Sequence, residues 1–253
     1  MSSVTGEDAS ARGTGRVTLR REGSVAVVTL ERPDKLNALS SHIERSLAEL
    51  LDGPELRSSD CVVITGGPKV FSAGADLSEM DALDVEAVFD YYRATGGVYE
   101  KVAALRQPSV SAISGYCLGG GFELALATDF RIADESAVFG LPEVGIGIVP
   151  SSGGIHRLVR IVGPARAREL VLARPRLPAP DAFALGLVTE VVPAGEALAR
   201  ALELAGRLAA LPPLASELAR RAIDVAAESS RQTALFVEQL AYAALAQVRP
   251  GTS

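Results

Sequence analysis

The sequence predicts an α/β fold with a helical C-terminal part, and three observations predict it. Short, largely apolar runs of the buried-strand type, C-V-V-I-T at 61–65 and V-S-A-I at 110–113, alternate with helical patterns over the first two-thirds of the chain. Helical patterns dominate the last third. The 253 residues are 48% hydrophobic and 22% charged, which is enough apolar material for a large buried core and too little charge for a disordered chain.

Residues 1–15 are small and polar and are expected to form a disordered tail. Alternating or apolar runs at 17–21 and 25–30 flank Glu22-Gly23-Ser24 and predict a β-hairpin, which Arg32-Pro33-Asp34-Lys35 terminates. Ser41 with Glu44 three residues on predicts a capping box and a helix to about residue 51. His42 is then an exposed first-turn residue. Residues 71–80, rich in small side chains, read as a loop after the 61–65 strand. A helix pattern over 84–106 breaks at Gly96-Gly97, and strands are expected at 110–113, 129–133 and 137–139. Helices are expected at 155–161, 165–173, 180–185, 196–208 and 214–245, with one strand at 188–192. The division is a tail over 1–15, a core over 16–190 and a helical region over 191–253.

Several function classes are disfavoured. The net charge is −6 with no basic stripe, so no nucleic-acid partner is expected. No apolar run approaches the roughly 18–20 residues that span a bilayer, and no membrane partner is expected. The N-terminus lacks the apolar core of a secretory signal, and a cytoplasmic location is expected. Cys61 and Cys117 sit in apolar surroundings as reduced, buried thiols. His and Cys spacings match no metal site, and the glycine runs match neither a P-loop nor a dinucleotide fingerprint.

Two loops carry the chemistry. Ser72-Ala73-Gly74-Ala75-Asp76 follows the 61–65 strand, and Cys117-Leu118-Gly119-Gly120-Gly121 follows the 110–113 strand. Both use residues small enough to bring backbone N–H groups against a ligand. If the strands are neighbours, two N–H donors can meet at one oxygen as an oxyanion hole, each worth about 2.7–4 kcal/mol in the transition state. Taken singly, each loop also reads as an ordinary turn. Glu123 reads either as a catalytic carboxylate or as a first-turn acid complementing the helix dipole, worth about 0.3–1 kcal/mol. Glu143, after Pro142, has the same two readings.

R-P-D-K-L-N-A-L (32–39), F-S-A-G-A-D-L (71–77), G-Y-C-L-G-G-G-F-E-L-A-L-A-T-D (115–129) and F-G-L-P-E-V-G-I-G-I-V-P (139–150) resemble, in order and spacing, the motifs of the crotonase family. More narrowly, they look like those of enoyl-CoA hydratases. The resemblance runs from about residue 16 to about residue 245. It implies a crotonase-like spiral of ββα units, a helical C-terminal trimerisation region, and a homotrimer or dimer of trimers. It also implies an acyl-CoA thioester substrate in fatty acid metabolism and no separate cofactor, coenzyme A being part of the substrate.

Carried onto this chain, the resemblance makes Ala75 and Gly120 the oxyanion-hole donors and Glu123 and Glu143 the catalytic pair. Lys35, Leu36, Ala38, Ala73, Asp76 and Leu77 match segments lining coenzyme A, and Gly119 lies in the same substrate-binding set. In a hydratase of this kind water adds at C3 while a proton reaches C2. Glu123 is expected to accept the proton of water and Glu143 to supply C2, since two carboxylates in one apolar cleft share a proton. An isomerase, a biosynthetic dehydratase, a thioester hydrolase or a non-catalytic binding protein would share these motifs. Three departures stand out. Ser151 replaces a common glycine near the water and acyl end, and Ser78 stands where relatives carry a lysine for a CoA phosphate. The E-G-x-x-A-F segment usual near the C-terminus is unmatched, the sequence ending A-Q-V-R-P-G-T-S.

Overall fold

The computed structural model describes residues 14–80, 97–173 and 175–248. The tail expected over 1–15, apart from its last two residues, and the 84–96 part of the expected helix lie outside the described residues. Strands β1 (Arg16–Glu22) and β2 (Val25–Glu31) form the expected hairpin, with Glu22 opposite Val25. Strands β3 (Cys61–Thr65), β4 (Ser109–Ile113), β6 (Phe130–Asp134) and β9 (Glu190–Val192) then add in parallel, giving a six-stranded sheet ordered β1-β2-β3-β4-β6-β9. A second sheet joins β5 (Tyr116–Leu118), β7 (Val138–Gly140) and β8 (Leu177–Pro178). The pairs β4–β5, β6–β7 and β8–β9 each send one strand to each sheet, so the chain winds as a spiral.

Strands β2 and β3 read as nearly continuous apolar runs because both sheet faces are covered. Along β3, Val62 and Ile64 enter one core with Ala26, Val28 and Ile113. Cys61 and Val63 enter the other with Val25, Val27, Val110 and Ile132. The helix Ala197–Ala209 closes that second face with Ala201 and Ala205, both fully buried.

The longer helices among the described residues are α1 (Ser41–Asp52), α2 (Gly97–Ala103), α3 (Gly120–Leu126), α4 (Gly154–Arg168), α5 (Ala197–Ala209), α6 (Pro213–Glu228) and α7 (Arg231–Val248). Three expectations need correction. The cap of α1 is Ser40, whose side chain accepts the Ile43 N–H; Ser41 is already helical. Glu44 therefore closes no capping box. It shares a face with Leu47 and Leu51 and is buried. The helix expected over 214–245 is two helices, because Ser229 adopts an extended conformation (φ −117°, ψ 175°). Strand β5 was absent from the pattern reading: three residues before a glycine run are too short to show a period.

Helix α4 is broken at Gly163 (φ 73°, ψ 164°), which is followed by Pro164, so two helical stretches meet there as the sequence predicted. Both cysteines are free and buried. Cys117 donates weakly to the Gly121 carbonyl, and burial pushes its thiol well above the usual range, which removes it as a nucleophile. No helix among the described residues is long and apolar enough to cross a membrane.

Candidate active site

The two small-residue loops lie side by side because β3 and β4 are neighbours, Val63 opposite Val110. Segment 72–76 is then sewn between two other chain segments. On one side Ala73 N–H donates to Leu36 O, Leu39 N–H to Gly74 O, and Asp76 N–H to Leu39 O. On the other, Ser72 N–H donates to Tyr116 O and Leu118 N–H to Ser72 O. Asn37, buried at φ 53°, fastens the approach by donating to Gly66 O (2.8 Å) and Val70 O (2.9 Å).

These pairings leave the Ala75 and Gly120 N–H groups adjacent. A Cβ placed on Gly120 would lie 3.7 Å from Ala75 N, and one on Gly74 would lie 3.5 Å from Gly120 N. Among the described residues neither N–H donates to a protein acceptor. Glycine is required here for two reasons. Gly119 turns the chain at φ 51°, ψ −128°, which side chains avoid. Gly121 packs on Ser72 so closely that a Cβ would sit 2.7 Å from the Ser72 Cβ.

Both glutamates are buried, and the structure distinguishes them. Glu123, in the first turns of α3, accepts the backbone N–H groups of Ser152 (2.8 Å) and Gly154 (2.9 Å) at Oε1. Gly154 must be glycine, since a Cβ would meet that oxygen at 2.5 Å. Burial raises the Glu123 carboxyl, and the amides of Ser152, Gly154 and Ser151 with the Arg157 charge oppose the rise. Glu143 opens a 3-10 turn after Pro142, and its Oε2 has no hydrogen-bond partner among the described residues. Burial, with the nearby Glu123 charge adding to it, pushes Glu143 up to about 7.

Both carboxylates line one cavity of about 240 Å³ together with Ala73, Gly74, Ala75, Leu77, Gly119, Gly120 and Ser151. Pro142, Ile146, Ile148 and Val149 make one wall apolar. Lys35, Leu36, Ala38 and Asp76 do not line it. Lys35 and Leu36 lie exposed on the turn paired with Ala73, and Ala38 is half-buried there. Asp76 is turned to Ser78 and to the Arg32 guanidinium (2.7 Å), which hold its carboxyl below the usual range. Among the described residues no cluster of three or more His, Cys, Asp or Glu is arranged for a metal ion.

Comparison with known proteins gives this geometry a lineage. Residues 20–249 match the family described as Enoyl-CoA hydratase/isomerase. The chain belongs to the enoyl-CoA hydratase/isomerase family. YngF of Bacillus subtilis (strain 168) is 41% identical over 220 residues, 86% of this chain and 85% of its own. The Short-chain-enoyl-CoA hydratase of Clostridium acetobutylicum is 38% identical over 228 residues, 89% of this chain and 87% of its own. The crystal structure of the enoyl-CoA hydratase from Bacillus anthracis superposes with a TM-score of 0.88 at 36% identity, covering 92% of each chain. That of Thermoplasma volcanium GSS1 superposes at 0.86 and 32% identity, covering 92% of this chain and 93% of its own. The α/β spiral expected from the motifs is thus the fold of this hydratase/isomerase-family chain.

Sequence reasoning missed three polar residues of the cavity wall, Glu44, Tyr99 and Ser152. The Tyr99 hydroxyl donates to Glu44 Oε1 at 2.6 Å, and a Cβ on Gly120 would meet that hydroxyl at 3.0 Å. The signal for Glu44 was its place on the apolar stripe 43, 47, 51 of α1, which the capping-box reading hid.

Proposed function

We propose that this protein is an enoyl-CoA hydratase, adding water reversibly across the C2–C3 double bond of an enoyl thioester. One observation carries the reading. Two buried carboxylates of unlike environment face one cavity with two adjacent backbone N–H donors. The thioester oxygen takes the Ala75 and Gly120 N–H groups, which bear the enolate charge as it forms. Glu123, whose anion the 152 and 154 amides favour, accepts a proton from the attacking water. Glu143, protonated up to about pH 7, delivers a proton to C2. The wall at Ile146, Ile148 and Val149 offers a non-polar surface to the acyl part of the substrate. A single carboxylate in the Glu143 position suffices for double-bond isomerisation; the presence of Glu123 favours hydration.

Coenzyme A enters as part of the substrate, along the Lys35–Ala38 turn and Asp76-Leu77, and the chemistry assigned here draws on no separate cofactor. A homotrimer or a dimer of trimers in the cytoplasm completes the reading. Its support is the apolar surface left on the last helices, where Ile223, Phe236, Leu240 and Tyr242 are exposed and α6 buries no residue.

The test is incubation with crotonyl-CoA and longer enoyl-CoAs while following loss of enone absorbance. Turnover to the 3-hydroxyacyl product is expected. Absence of turnover at every chain length, in protein that binds coenzyme A, would overturn the reading in favour of isomerase or hydrolase chemistry.

A further inference from the structure

We propose that Arg157 is a positioning residue of the active site, holding the amide-bearing segment 152–154 against Glu123. The inference rests on the hydratase reading for its kinetic form, and on geometry alone for its structural form. Arg157 lies on the first turn of α4, three residues after Gly154. Its Nη1 donates to the Ser152 carbonyl at 3.0 Å, and its Nη2 to Glu100 Oε1 on α2 at 2.5 Å. The side chain is only 13% exposed. The clamp is tight, because a Cβ on Gly153 would lie 2.3 Å from Arg157 Nη1, and Gly153 itself is at φ 85°.

The Ser152 peptide group therefore does two jobs. Its carbonyl is gripped by Arg157, while the N–H groups on either side, of Ser152 and Gly154, both point at Glu123 Oε1. Losing the grip on the carbonyl frees the segment to rotate, and both amides move off the carboxylate together. The guanidinium also contributes directly, as a cation beside a buried anion. Other charged or titratable groups around Glu123 are Glu143 across the cavity, Glu44 and Tyr99 on its wall, and Glu100, which shares the Arg157 charge. None of these is a cation, and it is the Arg157 charge that joins the amides in opposing protonation of Glu123. A Glu123 that must be ionised to accept a proton then loses activity at low pH; burial and the amides weigh most on where that loss begins, and Arg157 shifts it by holding those amides and by its own charge.

The experiment compares R157M and R157K with the unaltered protein by pH–rate profile and by thioester affinity. R157M is expected to lower kcat by on the order of 10- to 100-fold with KM little changed, as for a displaced reacting group. Its acidic limb is expected to move to higher pH, and R157K to restore much of the limb position. A limb that does not move in R157M, or a change confined to KM, would overturn the proposal. If R157M is not recovered folded, E100Q replaces it. Glu100 is exposed, and removing its charge leaves Arg157 unshared, so the limb should move to lower pH; a limb unmoved or raised would overturn the proposal. Carbon-13 NMR titration of the Glu123 carboxyl separates this from the hydratase reading. If the unaltered protein hydrates no enoyl-CoA, that reading fails, yet R157M must still raise the Glu123 midpoint. An unchanged midpoint would overturn the positioning role.

Discussion

Glu143 is buried at a cost to stability, and the sign of that cost is measurable. Its carboxyl is raised from 4.5 to about 7 by burial and by the Glu123 charge. A raised acid stabilises the fold fully below its unfolded value near 4.5, and that contribution is lost as pH rises through 7. Replacing it by E143Q removes a charge with no partner at Oε2 among the described residues. The variant is expected to match the unaltered protein at pH 4 and to exceed it at pH 8. The gain is on the order of 1–3 kcal/mol, since 1 pKa unit corresponds to about 1.4 kcal/mol. Melting curves at both pH values check this; a variant less stable at pH 8 would contradict the assignment. The same group predicts kcat/KM falling on the alkaline side from about pH 7 upward, where the donor has lost its proton.

At the scale of elements, the site is a product of register. Parallel pairing of β3 with β4 puts the two loops together, and the bridges Leu39–Ala75 and Ser72–Cys117 fix their depth. Substitution G120A tests this. Its Cβ would meet the Tyr99 hydroxyl at 3.0 Å and stand 3.7 Å from Ala75 N, inside the space an oxyanion needs. Turnover is expected to fall by about 10²–10³-fold, as for loss of one oxyanion donor, with a near-native melting temperature. Unchanged turnover would place the oxyanion elsewhere.

Much of this arrangement was legible in the sequence. The apolar runs marked β3 and β4, and the small residues after each marked the loops. The lining residues Ala75, Gly120, Glu123 and Glu143 came from the motifs, and Ser151 from a departure just after the last of them. What was not legible depends on contacts distant in sequence. Glu44 faces Tyr99 across 55 positions, and Arg157 reaches Glu100 across 57. Helix periodicity places a charged residue on a face without saying which neighbour awaits it. The Ser40 cap was missed because Ser40 and Ser41 offer the same hydroxyl, and the helix start decides between them. Exposed Lys35 and Leu36 matched motif positions, whereas the cavity wall was completed by Ile148 and Val149, motif residues not singled out for the site, and by Tyr99 from outside the motifs.

For the whole molecule, the C-terminal helices pose the clearest physical demand. Helices α6 and α7 carry Ile223 and Tyr242 at 67% and 70% exposure, an apolar load that an isolated chain leaves in water. The proposed trimer covers it. Light scattering should give a mass three or six times the 26.3 kDa of one chain. F236E should shift that mass toward a single chain, because a charge at a packed interface is costly unless paired. A single-chain mass for the unaltered protein would contradict the assembly while leaving the site intact.

The division of labour between the two carboxylates is the centre of the account, and steady-state turnover of crotonyl-CoA by E123Q and E143Q tests it most directly. Each variant is expected to lose on the order of 10²–10⁴-fold in kcat, with thioester affinity nearly unchanged. Full hydratase activity in E123Q would contradict the account and leave isomerisation through Glu143 as the better description.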